Sequence, residues 1–273
     1  MLIAFKKYQA ISNDYIVFDY FGYKFPFSNE QVSFLCDRRR GIGADGVLVI
    51  SEGEGKAAFK MKIINSDGTI ARMCGNGLRC VIKYLSDCGM IDYNTKVLIE
   101  TDSGILEGVS PVDSSFSSVV KSEIGVPVVG NELHEFNGYP FTFVDVGNPH
   151  CVTFIEEKHE DLVKIAKKMG PSIEQIVEDG VNVGFAKMVN NNHMDLAVWE
   201  RGAGFTNACG TGAVAAVATA KAKGFVENGD DILVEQKGGK LTVNLDDSGK
   251  AFIAGFVNKV YNGIINTHIF PDS

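Results

Sequence analysis

Two short stretches hold the residues with the clearest chemistry. In ARMCGNGLRC (71–80), Cys74 stands directly before Gly-Asn-Gly; in NACGTGAVAA (207–216), Cys209 stands directly before Gly-Thr-Gly. Each motif opens onto a run with helical spacing. Glycines ahead of a helix let the backbone turn sharply and bring its N–H groups close to a ligand. The first helical N–H groups lack internal partners, and the helix dipole adds partial positive charge. Such a site suits a carboxylate and lowers the pKa of a cysteine placed there. Each motif therefore offers an anion cradle and an activated thiol. If the two face each other, one thiolate can take an α-proton from one face of an amino acid. The opposite thiol can return a proton to the other face. That is a two-base racemisation or epimerisation, and its carbanion needs preorganised N–H donors.

The elements that must position these thiols repeat. Cys74 and Cys209 lie 135 residues apart, close to half of the 273-residue chain, and other features match at the same offset. Gly75, Gly77, Gly89 and Gly104 fall on Gly210, Gly212, Gly224 and Gly239. VLIE (97–100) falls on ILVE (232–235), and Asn13 falls on Asn148. FKMKIINSDG (59–68) falls on HMDLAVWERG (194–203) with its apolar alternation in register. An internal duplication explains this, and the period is too long for a solenoid. In each half a strand leads to a polar turn, the cysteine motif, a helix closed by Gly89 or Gly224, and a further strand pair. The expected domains are 1–118, completed by 256–273, and 119–255, with SPVDSSFSS (110–118) as linker.

Composition narrows the function. Hydrophobic residues make up 45% and charged residues 22%, ordinary for a soluble globular protein, and the net charge of −8 argues against nucleic acid. Arg38-Arg39-Arg40 reads as a solvated helix end. The N-terminus lacks the pattern of a signal peptide, and no apolar run approaches the ~20 residues of a spanning helix. A cytoplasmic location without membrane contact is expected. The six cysteines are then reduced thiols, and none forms a C-x-x-C pair, so no metal site is expected. Cys36, Cys80, Cys88 and Cys151 read as core or incidental thiols. GIGADG (41–46) has the glycine pattern of a dinucleotide site, but a helix-like segment precedes it and a strand follows; the order is reversed and the match is rejected. GEGK (53–56) reads as a turn. His150, at the repeat position that follows Asn148, is read as structural or functional with equal weight.

These residues resemble the diaminopimelate epimerase family over nearly the whole chain. The resemblance rests on SNDYIVFD (12–19), CDRRRGIGADGVLVI (36–50), NSDGTIARMCGNGLRC (65–80), GNPHCV (147–152), GVNVGF (180–185) and WERGAGFTNACGTGAVAA (199–216). It implies an α/β (α+β) fold of two homologous domains, each a curved, mostly antiparallel sheet around a central helix, with the active site in the cleft between them. It implies a cofactor-independent reaction. Cys74 and Cys209 would be the acid/base pair, assisted by Glu200 and His150. Gly75, Asn76, Gly210 and Thr211 would hold the reacting carboxylate. Asn13, Asn65, Asn148, Asn182, Glu200 and Arg201 would bind the rest of diaminopimelate. A bidentate arginine suits a distal carboxylate, and a glutamate suits an ammonium group. Tyr261 would sit at a homodimer contact. The pathway implied is lysine and peptidoglycan biosynthesis. Gly46 stands where some members carry glutamine, Phe205 where many carry glutamate, and Ser12 replaces the usual glycine before Asn13. A two-thiol racemase for another amino acid and a thiol redox or anion-binding protein are the alternatives.

Overall fold

Alternating apolar residues open the chain as a hairpin, β1 (Leu2–Ala10) and β2 (Asn13–Asp19). Its two-residue turn, Ile11-Ser12, has φ of 50° and 68°. A tight hairpin wants such angles, but a β-branched residue rarely adopts them. The sequence then continues through α1 (Asn29–Cys36), β3 (Gly46–Glu52), β4 (Phe59–Asn65), β5 (Ile70–Ala71), α2 (Gly75–Asp87), β6 (Lys96–Thr101), β7 (Gly104–Val109) and β8 (Ser117–Gly125). Next come β9 (Val128–Phe136), β10 (Tyr139–Asp145), β11 (Pro149–Phe154), α3 (His159–Glu174), β12 (Asn182–Asn190), β13 (His193–Glu200) and β14 (Gly204–Thr206). The last elements are α4 (Gly210–Ala222), β15 (Asp231–Gln236), β16 (Gly239–Leu245) and β17 (Ala251–Asn266). This computed structural model describes residues 1–156, 159–227 and 229–270.

The chain falls into two units, Met1–Ser122 with Gly255–Ser273, and Glu123–Ala254; residues 271–273 of the expected C-terminal segment lie outside the described residues. In the first, strands pair in the order β17, β1, β2, β3, β4, β6, β7, β8, with β5 added to β4. In the second the order is β9, β10, β11, β12, β13, β15, β16, β17, with β14 added to β13. Among the described residues β2·β3 and β4·β6, and likewise β11·β12 and β13·β15, run parallel. Parallel neighbours need a long crossover, and each of these pairs is separated in sequence by a stretch holding a helix. The 135-residue offset survives into register: Lys60 pairs with Glu100, and Asp195 with Glu235.

Each sheet curls round one helix. Strands β1 to β4 and β7 touch α2, while β9 to β13 and β16 touch α4. Every residue of α2 from Gly75 to Ser86 is buried, as is α4 from Gly212 to Ala220. For α4 that follows from composition, since GTGAVAAVATA is apolar on all sides. Helix α2 is different, because Asn76, Arg79, Lys83 and Ser86 make a polar stripe at helical spacing. Sequence alone would turn that stripe to water. Here Lys83 pairs with Asp87, and Tyr8 donates to Asp87 at 2.7 Å, so the buried lysine has its counter-charge. Both helices end alike. The N–H of Met90 reaches Leu85 O, and that of Phe225 reaches Ala220 O. Gly89 and Gly224 take φ of 67° and 73°, the left-handed C′ position that glycine favours.

Two loop readings change. The stretch 110–118 is no free tether: Ser110, Pro111 and Ser118 are buried, Ser110 Oγ donates to Asp92 O at 2.7 Å, and β8 begins at Ser117. Arg38 lies beyond the end of α1 and is bound rather than merely solvated. It grips Asp14 through two donors (2.6 and 3.1 Å) and Asp45 at 2.8 Å. GIGADG is the tight return from α1 to β3, where a Cβ on Gly41 would lie 2.1 Å from Phe34 O. Among the described residues no helix is long and apolar enough to cross a membrane.

Candidate active site

Both cysteines are helix N-caps. Cys74 and Cys209 have extended backbones, and their sulfurs accept the N–H of Gly77 (3.5 Å) and Gly212 (3.3 Å). A side-chain acceptor here satisfies one orphan donor of the first turn, the role usually given to Ser, Thr or Asp. The glycines that follow lie inside the helix and have no positive φ, so they are not there for a sharp turn. They leave room at the sulfur. A Cβ on Gly212 would stand 3.2 Å from Cys209 Sγ and 3.0 Å from Val198 Cγ2. One on Gly77 would stand 3.1 Å from Leu48 Cδ2 and 3.9 Å from Cys74 Sγ.

In the first unit the Tyr15 hydroxyl lies 3.0 Å from Cys74 Sγ. A polar chain runs beside it. Arg79 donates to Asn76 Oδ1 at 2.6 Å, Asn76 Nδ2 donates to Asn13 Oδ1, and Asn13 Nδ2 donates to Asp45 Oδ2 at 3.2 Å. Arg79 is fully buried, its Nε and Nη1 have no hydrogen-bond partner, and burial lowers its pKa to about 10. Asn65 ends β4 opposite Gly46, and its Nδ2 donates to Thr69 Oγ1 at 3.0 Å. A Cβ on Gly46 would lie 2.8 Å from Ile64 O, so the backbone closes the place where a longer side chain would start.

The second unit surrounds its thiol differently. Cys209 is 5% exposed. Burial, then the charge of Glu200, pushes the Cys209 thiol well above the ordinary range; Thr211 Oγ1, at 3.5 Å, and the Gly212 N–H pull the other way and lose. At Cys209 desolvation and a neighbouring carboxylate outweigh the helix dipole. Burial also raises Glu200, opposed by hydrogen bonds from Thr206 and from the Cys209 thiol. Gln236 clamps the Cys209 backbone: its Oε1 accepts the Cys209 N–H at 2.8 Å, and its Nε2 donates to Cys209 O at 3.3 Å.

The remaining residues expected in this unit form two pairs. His150, 1% exposed, lies 3.1 Å from Asn148 Oδ1 through Nε2, and its Nδ1 has no partner. Burial, with the charge of Arg201, lowers its pKa to about 3, so the ring is neutral. Asn182 donates to Pro149 O at 2.9 Å and accepts the Arg201 N–H at 3.0 Å. The exposed Arg201 guanidinium donates to Asp179 O at 3.1 Å. Phe205 packs under Lys167 and Lys237, whose amines stand 5.1 and 5.9 Å from its ring centre. Tyr261, on β17, lies edge-on to Phe5. Sequence reading gives no role to Tyr15, Asp45, Arg79, Thr206 or Gln236, although the first four lie inside the motifs quoted above. The 135-residue offset sets Tyr15 on His150 and Thr101 on Gln236.

A sheet curled round a central helix, built twice, is a fold that this chain shares with solved epimerase structures. A hydroxyproline epimerase from Agrobacterium vitis superposes with a TM-score of 0.69 at 18% identity, covering 97% of this chain and 91% of that one. A predicted epimerase from Pseudomonas aeruginosa gives 0.74 at 14% identity, covering 97% and 99%. The chain itself belongs to the diaminopimelate epimerase family, whose profile matches residues 5–128 and 142–260. The diaminopimelate epimerase of Methanococcus maripaludis is 36% identical over 283 residues, 97% of this chain and all of that one. That of Geobacillus kaustophilus is 34% identical over 284 residues, 96% of each.

Proposed function

We propose that this protein interconverts LL- and meso-2,6-diaminopimelate by a two-base mechanism in which Cys74 and Cys209 serve opposite faces of one α-carbon. A thiolate takes the α-proton: the C–H bond breaks, an S–H bond forms, and the electron pair stays on the substrate, spread into its carboxylate. The second thiol then gives its proton to the other face and becomes the thiolate, so each turnover exchanges the two protonation states. The N–H groups that open α2 and α4, at Gly75-Asn76 and Gly210-Thr211, hold the reacting carboxylate where charge develops. Asn13, Asn65, Asn148 and Asn182 serve the substrate's amino and carboxyl groups. Glu200 and Arg201 answer its distal ammonium and carboxylate. His150, neutral, assists as a hydrogen-bonding group rather than as a cation.

The observation that carries this is the recurrence, 135 residues apart, of a cysteine capping a helix of 13 residues through its own sulfur. The same reading extends to a cytoplasmic homodimer with Tyr261 at its contact, working in lysine and peptidoglycan synthesis. The test is incubation of the reduced protein with LL-diaminopimelate in heavy water without pyridoxal phosphate. Deuterium at one α-centre together with meso product supports the function. Absence of exchange with diaminopimelate, but exchange with another amino acid, would move the substrate assignment and leave the two-thiol chemistry.

A further inference from the structure

The two sulfurs do not have equivalent neighbours, and the one on α2 touches a group that the repeat does not reproduce. Tyr15, on β2, is 5% exposed, and its hydroxyl meets Cys74 Sγ at 3.0 Å. Its counterpart at the 135-residue offset is His150, whose ring is turned to Asn148. We propose that Tyr15 is a positioning residue for Cys74: its hydroxyl donates the hydrogen bond that keeps the Cys74 sulfur anionic in the resting enzyme, so Cys74 is the base that begins turnover and Cys209 the proton donor. This rests on the two-thiol function above.

The direction of the bond follows from the groups present. Burial, together with the charge of Cys74, holds the Tyr15 phenol protonated far above neutral pH. A phenol that keeps its proton can serve as the donor in this contact, and a neutral O–H facing a sulfur anion is a charge-assisted one. The other titratable groups that interact with this sulfur are Arg79 and Cys80, both on α2, while Asp14 acts on Cys80 and Asp45 on Tyr15. Arg79 is the only cation among them; it lies buried on the helix that the sulfur caps, and two of its nitrogens are unpartnered. A sulfur anion is its natural counter-charge in a site of low dielectric. Cys209 meets the opposite arrangement. Val214 stands where α2 has Arg79, and the group at the sulfur is the Glu200 carboxylate. A cation and a neutral donor on one side, with an anion on the other, set the resting proton on Cys209.

Tyr15→Phe removes the donor and little else. Iodoacetamide labelling, followed residue by residue by mass spectrometry at pH 7, separates the outcomes by sign. Loss of a hydrogen bond to the anion lowers the labelling rate at Cys74 about tenfold. Loss of a merely space-filling hydroxyl leaves it equal or faster, and that result overturns the proposal. The thiolate absorbance near 240 nm of the unsubstituted protein supplies a second measurement. It should vanish in Cys74→Ala and survive in Cys209→Ala; the reverse pattern refutes the assignment without any Tyr15 variant. Tyr15→Phe should also move the acidic limb of the epimerisation pH profile upward by about one pH unit, matching the labelling change. Neither thiol measurement needs turnover. A protein that exchanges no α-proton would end the functional reading while these two results still decide where the resting charge sits.

Discussion

The two halves build one scaffold and fill it with different chemistry. Helices α2 and α4 have the same length, the same sulfur cap and the same glycine ending, yet α4 is apolar throughout while α2 carries Asn76, Arg79, Lys83 and Ser86 into the interior. The partly exposed Cys74 meets a phenol, and the buried Cys209 meets a carboxylate and a backbone clamp. Duplication supplies two alike helix caps, and divergence of the residues around them gives each sulfur different neighbours. Symmetry of geometry and asymmetry of charge suit a reaction whose two faces must begin with opposite protonation.

The largest test of this contrast removes the sulfurs. Cys74→Ala and Cys209→Ala should each lower turnover by about 10²–10⁴-fold, read as the LL/meso ratio against time; a near-native rate in either would end the two-base mechanism. Next come the helix glycines. Gly212→Ala crowds Cys209 Sγ and Val198 directly, while Gly77→Ala presses on Leu48 and lies farther from its sulfur. The first should cost about tenfold in kcat and the second much less, because alanine also favours the helix by about 1 kcal/mol. Equal effects would erase the difference in packing.

Smaller effects read out as stability. Gln236→Ala leaves the buried Cys209 backbone without its side-chain partner and should cost about 1–3 kcal/mol in urea melts. Its counterpart Thr101 hydrogen-bonds only within its own hairpin, at Gly104 O and Ser103 N, and Thr101→Ala should cost less. His150 and Tyr15 differ in their response to acid. The folded ring has a pKa of about 3 against the ordinary 6.5. Above pH 6.5 it is neutral folded and unfolded and adds nothing. As pH falls from 6.5 towards 3 the unfolded chain takes a proton that the folded one refuses, so stability drops by up to about 1.4 kcal/mol per pH unit. The urea midpoint of the unsubstituted protein should therefore fall more between pH 7 and pH 5 than that of His150→Gln; parallel falls would place the acid sensitivity elsewhere. The smallest change is at the turn before Asn13. Ser12 has φ of 68°, and its counterpart Gly147 has φ of 83°. Ser12→Gly should raise stability by about 0.5–1 kcal/mol, measured by thermal melting.

Much of this was legible in the residues. Apolar alternation at Met61 and Ile63 and the spacing after Cys74 locate a strand and a helix, and the 135-residue offset transfers both to the other half. Periodicity fails at α2, because a polar stripe with buried partners looks the same in sequence as one facing water. Motif reading fails at Cys209 for a related reason: a helix N-terminus is local and visible, whereas the desolvation that overrides it comes from residues such as Glu200 and Gln236, which only the folded sheet brings to the sulfur. Tyr15 escaped because a tyrosine in an apolar strand reads as core. Its ring is core, and only the hydroxyl is chemistry.

One strand carries a consequence for the way the molecule is made. β17 joins the second unit through Ala251–Ala254 and the first through Val257–Asn266, where it pairs along the whole of β1. The first unit is therefore written on both sides of the second along the sequence. A ribosome delivers residues 1–122 early and β1 can pair with β2 at once, but the other edge of β1 meets its partner only when Val257–Asn266 emerge. The unit begun first is finished last, and the Cys74 half must wait, with an unpaired strand edge, for the Cys209 half to be synthesised before it can close.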